Sequence, residues 1–89
     1  MRAVLTVIGK DRVGIMSMVS NQCAACNANI LEVTQTVLQD LFCMIMLVDI
    51  SQLNCELSEM VYQMQQLGES KGLSIHVMHE DIFNSMHRI

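Results

Sequence analysis

Nine consecutive residues, Phe42-Cys43-Met44-Ile45-Met46-Leu47-Val48-Asp49-Ile50, are apolar at every position but one. Side chains alternate across a strand, so a segment apolar at odd and even positions is read as covered on both faces. It is not a solvent-facing ribbon. Helices cover one side of its sheet, and the other side meets the tail, a partner subunit, or both. The run is far too short to cross a bilayer as a helix, which takes about 20 residues. With no secretory pattern before the first strand, the chain reads as cytoplasmic, without a membrane anchor.

The rest of the chain supplies the partners for this strand. Arg2 to Ile8 forms a first strand, rich in β-branched residues. From Val13 to Asn27 the apolar positions change to helical spacing, with Ile15 or Met16, Val19, Cys23 and Cys26 on one stripe. Asn27-Ala28-Asn29 ends that helix, because Asn tolerates the left-handed backbone of a C-cap. Ile30 to Gln39 is the second strand, and a short turn at Gln39-Asp40-Leu41 makes a hairpin with the apolar run. Asn54 is a candidate N-cap for a second helix, helped by Glu56 and Glu59 near its start. Leu57, Met60, Val61, Met64, Leu67 and Gly68 form the clearest helical stripe, and Gly72 fits the position that ends it. Leu73 to Met78 alternates as the last strand.

The order is strand, helix, strand, strand, helix, strand, which is the split βαβ arrangement. The expected fold is α+β: a ferredoxin-like βαββαβ sandwich, with a four-stranded antiparallel sheet and two helices on one face. Residues 1–79 form this core, and 80–89 add a short C-terminal helix to a single domain of 1–89. Ile82, Phe83, Met86 and Ile89 can share one face of the tail. So short a helix needs a surface to dock on.

Composition narrows the function. At 89 residues the chain buries only about 60% of its unfolded surface. Only Phe42, Tyr62 and Phe83 are aromatic, so the core is aliphatic, with nine methionines to fill irregular gaps. The net charge is −4 and there is no basic run; direct nucleic-acid binding is not expected. The four cysteines, Cys23, Cys26, Cys43 and Cys55, read as reduced thiols. Cys23 and Cys26 have the spacing of a redox or zinc pair, but they end a helix rather than open one, and no second pair completes four ligands. Core packing is the reading adopted, with no metal and no cofactor. His76 and His79 point to opposite faces of a strand, His87 lies in the tail, and no nucleophile and base are set together. The chain is read as not being an enzyme.

The remaining signal is Ile8-Gly9-Lys10-Asp11-Arg12-Val13-Gly14-Ile15. Gly9 can end the strand sharply, and Asp11 is suited to N-cap the helix. Gly14 in the first turn has two open uses. It leaves the helix N–H groups uncovered for an anion such as a carboxylate, or it lets the helix pack closely on the sheet.

Gly9 to Ile15, then Asn27-Ala28-Asn29-Ile30 and Met44 to Asp49, resemble the ACT domain, a family of small regulatory domains that commonly bind amino acids. The tail from His79 to Ile89 is similar to that of stand-alone bacterial single-ACT proteins of uncertain function. The resemblance implies the same fold; a homodimer is expected from the doubly apolar third strand and the apolar tail of so small a domain. The resemblance also implies a ligand site at the loop after the first strand and the start of the second, often across subunits: Gly9, Asp11, Arg12, Gly14, Asn29 and Ile30. There Gly14 N–H groups would hold a carboxylate and Asp11 an ammonium group, with Asn29 offering donor and acceptor. The chain departs from some amino-acid-binding members, which carry Asn where Asp11 stands and Pro where Val13 stands. The alternative is an interaction module without a ligand, docking on a protein through the sheet edge or tail, as in relatives that act in transcriptional control of glycine cleavage.

Overall fold

The computed structural model describes residues 1–86. Its elements are β1 (Arg2–Lys10), α1 (Ile15–Ala25), β2 (Asn29–Leu38), β3 (Leu41–Asp49), α2 (Leu57–Lys71), β4 (Leu73–His79) and α3 (Glu80–Met86). The strands form one antiparallel sheet in the order β2-β3-β1-β4. This is the expected ferredoxin-like architecture. His87, Arg88 and Ile89, expected to finish the tail helix, lie outside the described residues.

The core follows from the two periodicities. Leu5 on β1 is paired with Met46 on β3 and Val77 on β4, and Val7 with Met44 and Ile75. All six are buried on the helix-covered side. Ile15, Val19 and Cys23 of α1, and Met60, Met64 and Gly68 of α2, close the same core. No charged or polar residue is buried among the described residues.

Three local expectations are corrected. Gly9 does not end β1, which runs on to Lys10. Its role is close approach: a Cβ there would lie 2.5 Å from Leu73 Cδ2 and 3.2 Å from the Gly72 carbonyl oxygen. Asp11 does not cap α1. The N-cap is Gly14, with no side-chain cap, and the Asp11 N–H instead donates to the Asp40 carbonyl at 2.7 Å. Asn54 does not cap α2, whose N-cap is Glu56. Its side-chain amide donates to the Ala25 carbonyl at 2.8 Å and so closes the end of α1. On β3, Phe42, Met44, Met46 and Val48 are buried under the helices, while on the other face Cys43 and Leu47 are half-buried and Ile45 is 47% exposed within the single chain.

Two other expectations match. Asn27 has φ 61° just beyond α1, and Gly72 has φ 71° at the end of α2. The tail helix sits against β1 and β4, held by an ion pair of 2.6 Å between Arg2 and Glu80. Its own apolar side chains Ile82 and Met86 remain exposed.

Candidate functional site at the first strand-to-helix turn

Four chain segments meet at the β1–α1 turn. β1 ends there and α1 begins there. The tip of the β2–β3 hairpin is tied on by the Asp11-to-Asp40 hydrogen bond. The C-terminal end of α2 is tied on by the Arg12 guanidinium, which donates to the Lys71 carbonyl at 3.3 Å. That carbonyl is among the last of a helix, where the dipole is negative, so a cation suits it.

The local sequence explains the shape. Gly14 has φ 92° and ψ 3°, a left-handed conformation that a Cβ disfavours. A Cβ built there meets nothing within 4 Å. Close packing on the sheet is therefore not why a glycine stands here; the backbone angle is. The consequence is a helix start with no side-chain cap and open space in front of it.

Charge gathers at the same place. Three of the five basic residues in a protein of net charge −4 lie here: Arg12 and Lys71 beside the start of α1, and Lys10 with both of them in the adjoining depression. Two open depressions of 420 Å³ each flank Arg12. One is lined by Gly14, Ser17 and Asn21 on α1, the other by Lys10, Asp11 and Gly72. A carboxylate here would find N–H donors and guanidinium or ammonium groups together. Asp11, free of a capping role, presents the one nearby carboxylate of this lining.

The structure brings together Gly9, Asp11, Arg12 and Gly14. Asn29 and Ile30 lie elsewhere in the same chain. Asn29 pairs with Asp49, which pairs with Arg2, at the opposite end of the sheet from Gly9. Seven residues of β1 separate the two ends, about 24 Å at 3.4 Å per residue. Asn29 is exposed, and Ile30 is half-buried against the core beside a bulge. Lys71 was missed from the sequence, being 59 residues from Arg12; the one pointer to it was Gly72, which marks the helix end beside Gly9.

The outward face of the sheet holds a smaller concavity of 170 Å³, lined by Thr6, Ile8, Thr34, Thr36, Cys43 and Ile45 among others. It has no charged group to meet an ammonium or a carboxylate. Among the described residues, no three His, Cys, Asp or Glu side chains are grouped to hold a metal. His79 Nδ1 accepts from the Asp81 N–H at 3.1 Å, which occupies it in the start of α3. Cys23 is fully buried, and burial together with neighbouring Cys26 pushes its pKa up to about 11. No helix among the described residues is long and apolar enough to cross a membrane.

Comparison with known proteins gives the same picture. The family model for the ACT domain matches residues 2–78. A UPF0237 protein of Listeria monocytogenes is 48% identical over 89 residues, covering all of both chains. One from Methanopyrus kandleri is 47% identical over 88 residues, 99% of this chain and 98% of that one. Among solved structures, an ACT domain protein from Streptococcus pneumoniae superposes with a TM-score of 0.82 at 31% identity, over 98% of each chain. A candidate glycine cleavage system transcriptional repressor shares the fold, with a TM-score of 0.75 at 24% identity, over 85% of this chain and 43% of that one. The family match, the near-complete coverage of these relatives and the βαββαβ sheet agree: the chain belongs to the ACT domain family.

Proposed function

We propose that this chain is a non-catalytic regulatory domain of the cytoplasm that binds a small amino acid or related metabolite at the β1–α1 turn, at the interface of a homodimer. The observation that carries this reading is the uncapped α1 start at Gly14, flanked by Arg12 and Lys71. The ligand carboxylate meets the α1 N–H groups and Arg12. Its ammonium group meets Asp11.

The dimer follows from β2. This edge strand is ten residues long and exposed along nearly its whole length, with Leu31, Val33, Val37 and Leu38 uncovered. A long apolar edge invites pairing with another strand. Antiparallel pairing of two β2 edges about a twofold axis reverses the partner strand. The partner's Asn29 then lies at the Leu38 end, which is the end of the sheet that carries the Gly9–Gly14 turn. Three strand spacings, about 14 Å, separate it from β1. The two halves of the expected site thus face one end of one continuous sheet, each from a different subunit.

A thermal-shift screen against the amino acids tests the reading. A ligand at a hundredfold excess over its Kd stabilises by about 2.7 kcal/mol, which raises the Tm of a domain this size by about 10 °C or more. Arg12→Ala, which removes a surface side chain, is expected to lose most of that shift. Gly14→Val, which covers the helix start, is expected to lose it wherever the variant folds. No shift with any amino acid would overturn the ligand.

A second reading has its own support. α3 has no buried residue, and Ile82 and Met86 are exposed. In this reading the domain docks on a regulatory protein through the tail or the β2 edge, without a small ligand. Removal of residues 80–89 from a chain that stays folded and dimeric would then abolish capture of the partner.

A further inference from the structure

We propose that Cys26 and Cys55 are a reversible disulfide site, in which a two-electron oxidant joins their sulfurs and staples the end of α1 to the segment leading into α2. The two residues are held side by side by a clasp of hydrogen bonds. The Cys26 carbonyl accepts the Asn54 N–H at 3.1 Å. The Asn54 side chain donates to the Ala25 carbonyl at 2.8 Å, and the Asn27 side chain to the Gln52 carbonyl at 2.6 Å. Cys55 follows Asn54 in the chain and is thereby carried next to Cys26, near enough for the Cys26 thiol to act on it electrostatically. The Cys26 thiol is further oriented from α2, donating to Gln63 Oε1 at 3.2 Å.

The other cysteines are set apart from this pair. Cys23 is wholly enclosed in the core, and its pKa of about 11 keeps it protonated. Cys43 lines the outward face of the sheet, on the far side from the helices. Cys55 is half-buried while Cys26 is covered, so an oxidant meets Cys55 first and Cys26 resolves the product. With peroxide as the oxidant, the Cys55 thiolate attacks one oxygen and releases water, leaving a sulfenic acid. The Cys26 sulfur then displaces the hydroxyl as a second water. Two thiols and one peroxide give one disulfide and two waters, and a dithiol reductant reverses the bond.

The Cys55 thiol is not set up for fast reaction. Burial, the Cys26 thiol, Glu59 and Glu56 all push the Cys55 pKa up, so its thiolate is scarce at neutral pH. The oxidation therefore belongs at mildly alkaline pH.

The test treats the full chain with hydrogen peroxide at alkaline pH, alkylates the remaining thiols under denaturing conditions and measures intact mass without reductant. The expected product is a single chain lighter by two hydrogens, with two thiols left to alkylate. Cleavage after acidic residues separates the peptides of Cys26, Cys43 and Cys55. The expected map joins the first to the third and leaves Cys43 alkylated. The same product is expected from Cys23→Ser and none from Cys26→Ser or Cys55→Ser. The oxidised chain is expected to melt at a higher temperature, since the cross-link restricts the unfolded state. A bond from Cys23 to Cys26, a bond between two chains, or over-oxidised Cys55 beside alkylated Cys26 would each overturn the proposal.

Discussion

Leu5→Ala is expected to lower the unfolding free energy by about 3 kcal/mol. Leu5 has no exposed surface and sits at the centre of the sheet, with Met46 on one neighbour and Val77 on the other. Truncation removes the transfer energy of the lost atoms and leaves a cavity. Leucine truncations in cores span about 2.7–5 kcal/mol, set by how far the surroundings collapse. Met44, Met46, Met60 and Met64 are all buried nearby in the core, and unbranched methionines can lean into the space, which places the cost near the lower end. Such a loss is a large share of the stability of about 5–15 kcal/mol typical of a domain. It lowers the Tm by about 15 °C or more. Ile8→Ala, on the open face of the same strand, is the control and should cost far less. Equal losses for the two, in thermal or urea unfolding, would contradict the assignment of the core face.

Gly68→Val is expected to cost about 3 kcal/mol or more, at the upper end of overpacking. A Cβ at Gly68 would lie 2.6 Å from the Leu73 carbonyl oxygen and 3.3 Å from the Ile75 backbone nitrogen. Those atoms cannot yield cheaply. Leu73 and Ile75 are fixed by pairing with Gly9 and Val7. The side chain would have to push α2 off the sheet. Gly68→Ala should also destabilise, even though alanine gains about 1 kcal/mol in helix propensity over glycine. Gly72→Ala separates packing from backbone strain. It meets nothing within 4 Å and bears only its φ of 71°, a cost of about 1–2 kcal/mol. Denaturant titration of the three variants should rank Gly68→Val as the most damaging.

The order of elements was legible because each periodicity is clean. The stripe from Leu57 to Gly68 and the alternation of Leu73, Ile75 and Val77 both recur in the buried face of their elements. The caps were not legible. Asp11 and Asn54 are good capping residues by local preference, yet α1 starts three residues beyond Asp11, at Gly14, and the Asn54 side chain is taken by the Ala25 carbonyl, distant in sequence. Backbone groups at a chain crossing need partners, and that need outweighed the local rule. The doubly apolar β3 is a different case. Its outward face is apolar without being covered within one chain, so the pattern records a surface beyond the single fold.

The candidate site was legible in part. Gly9, Asp11, Arg12 and Gly14 are neighbours in sequence, and the turn keeps them together. Lys71 joins them only because the second βα unit brings the end of α2 beside the first turn. Asn29 and Ile30 fall at the other end of the sheet because each strand reverses the chain. No local pattern reports that distance. Within the proposed reading, the reversal is what makes a second subunit necessary.

That necessity can be measured directly. Arg12→Glu disables the turn half of each site, and Asn29→Ala disables the β2 half. The two variants are refolded together from denaturant and titrated by calorimetry with the amino acid that gives the largest thermal shift. Neither variant alone should bind. Half the dimers in the mixture combine the two chains, and each of these rebuilds one of its two sites, so binding should return at a quarter of the wild-type stoichiometry with wild-type affinity. A mixture as silent as its components, or an Asn29→Ala protein that binds like the wild type, would contradict a site shared between subunits.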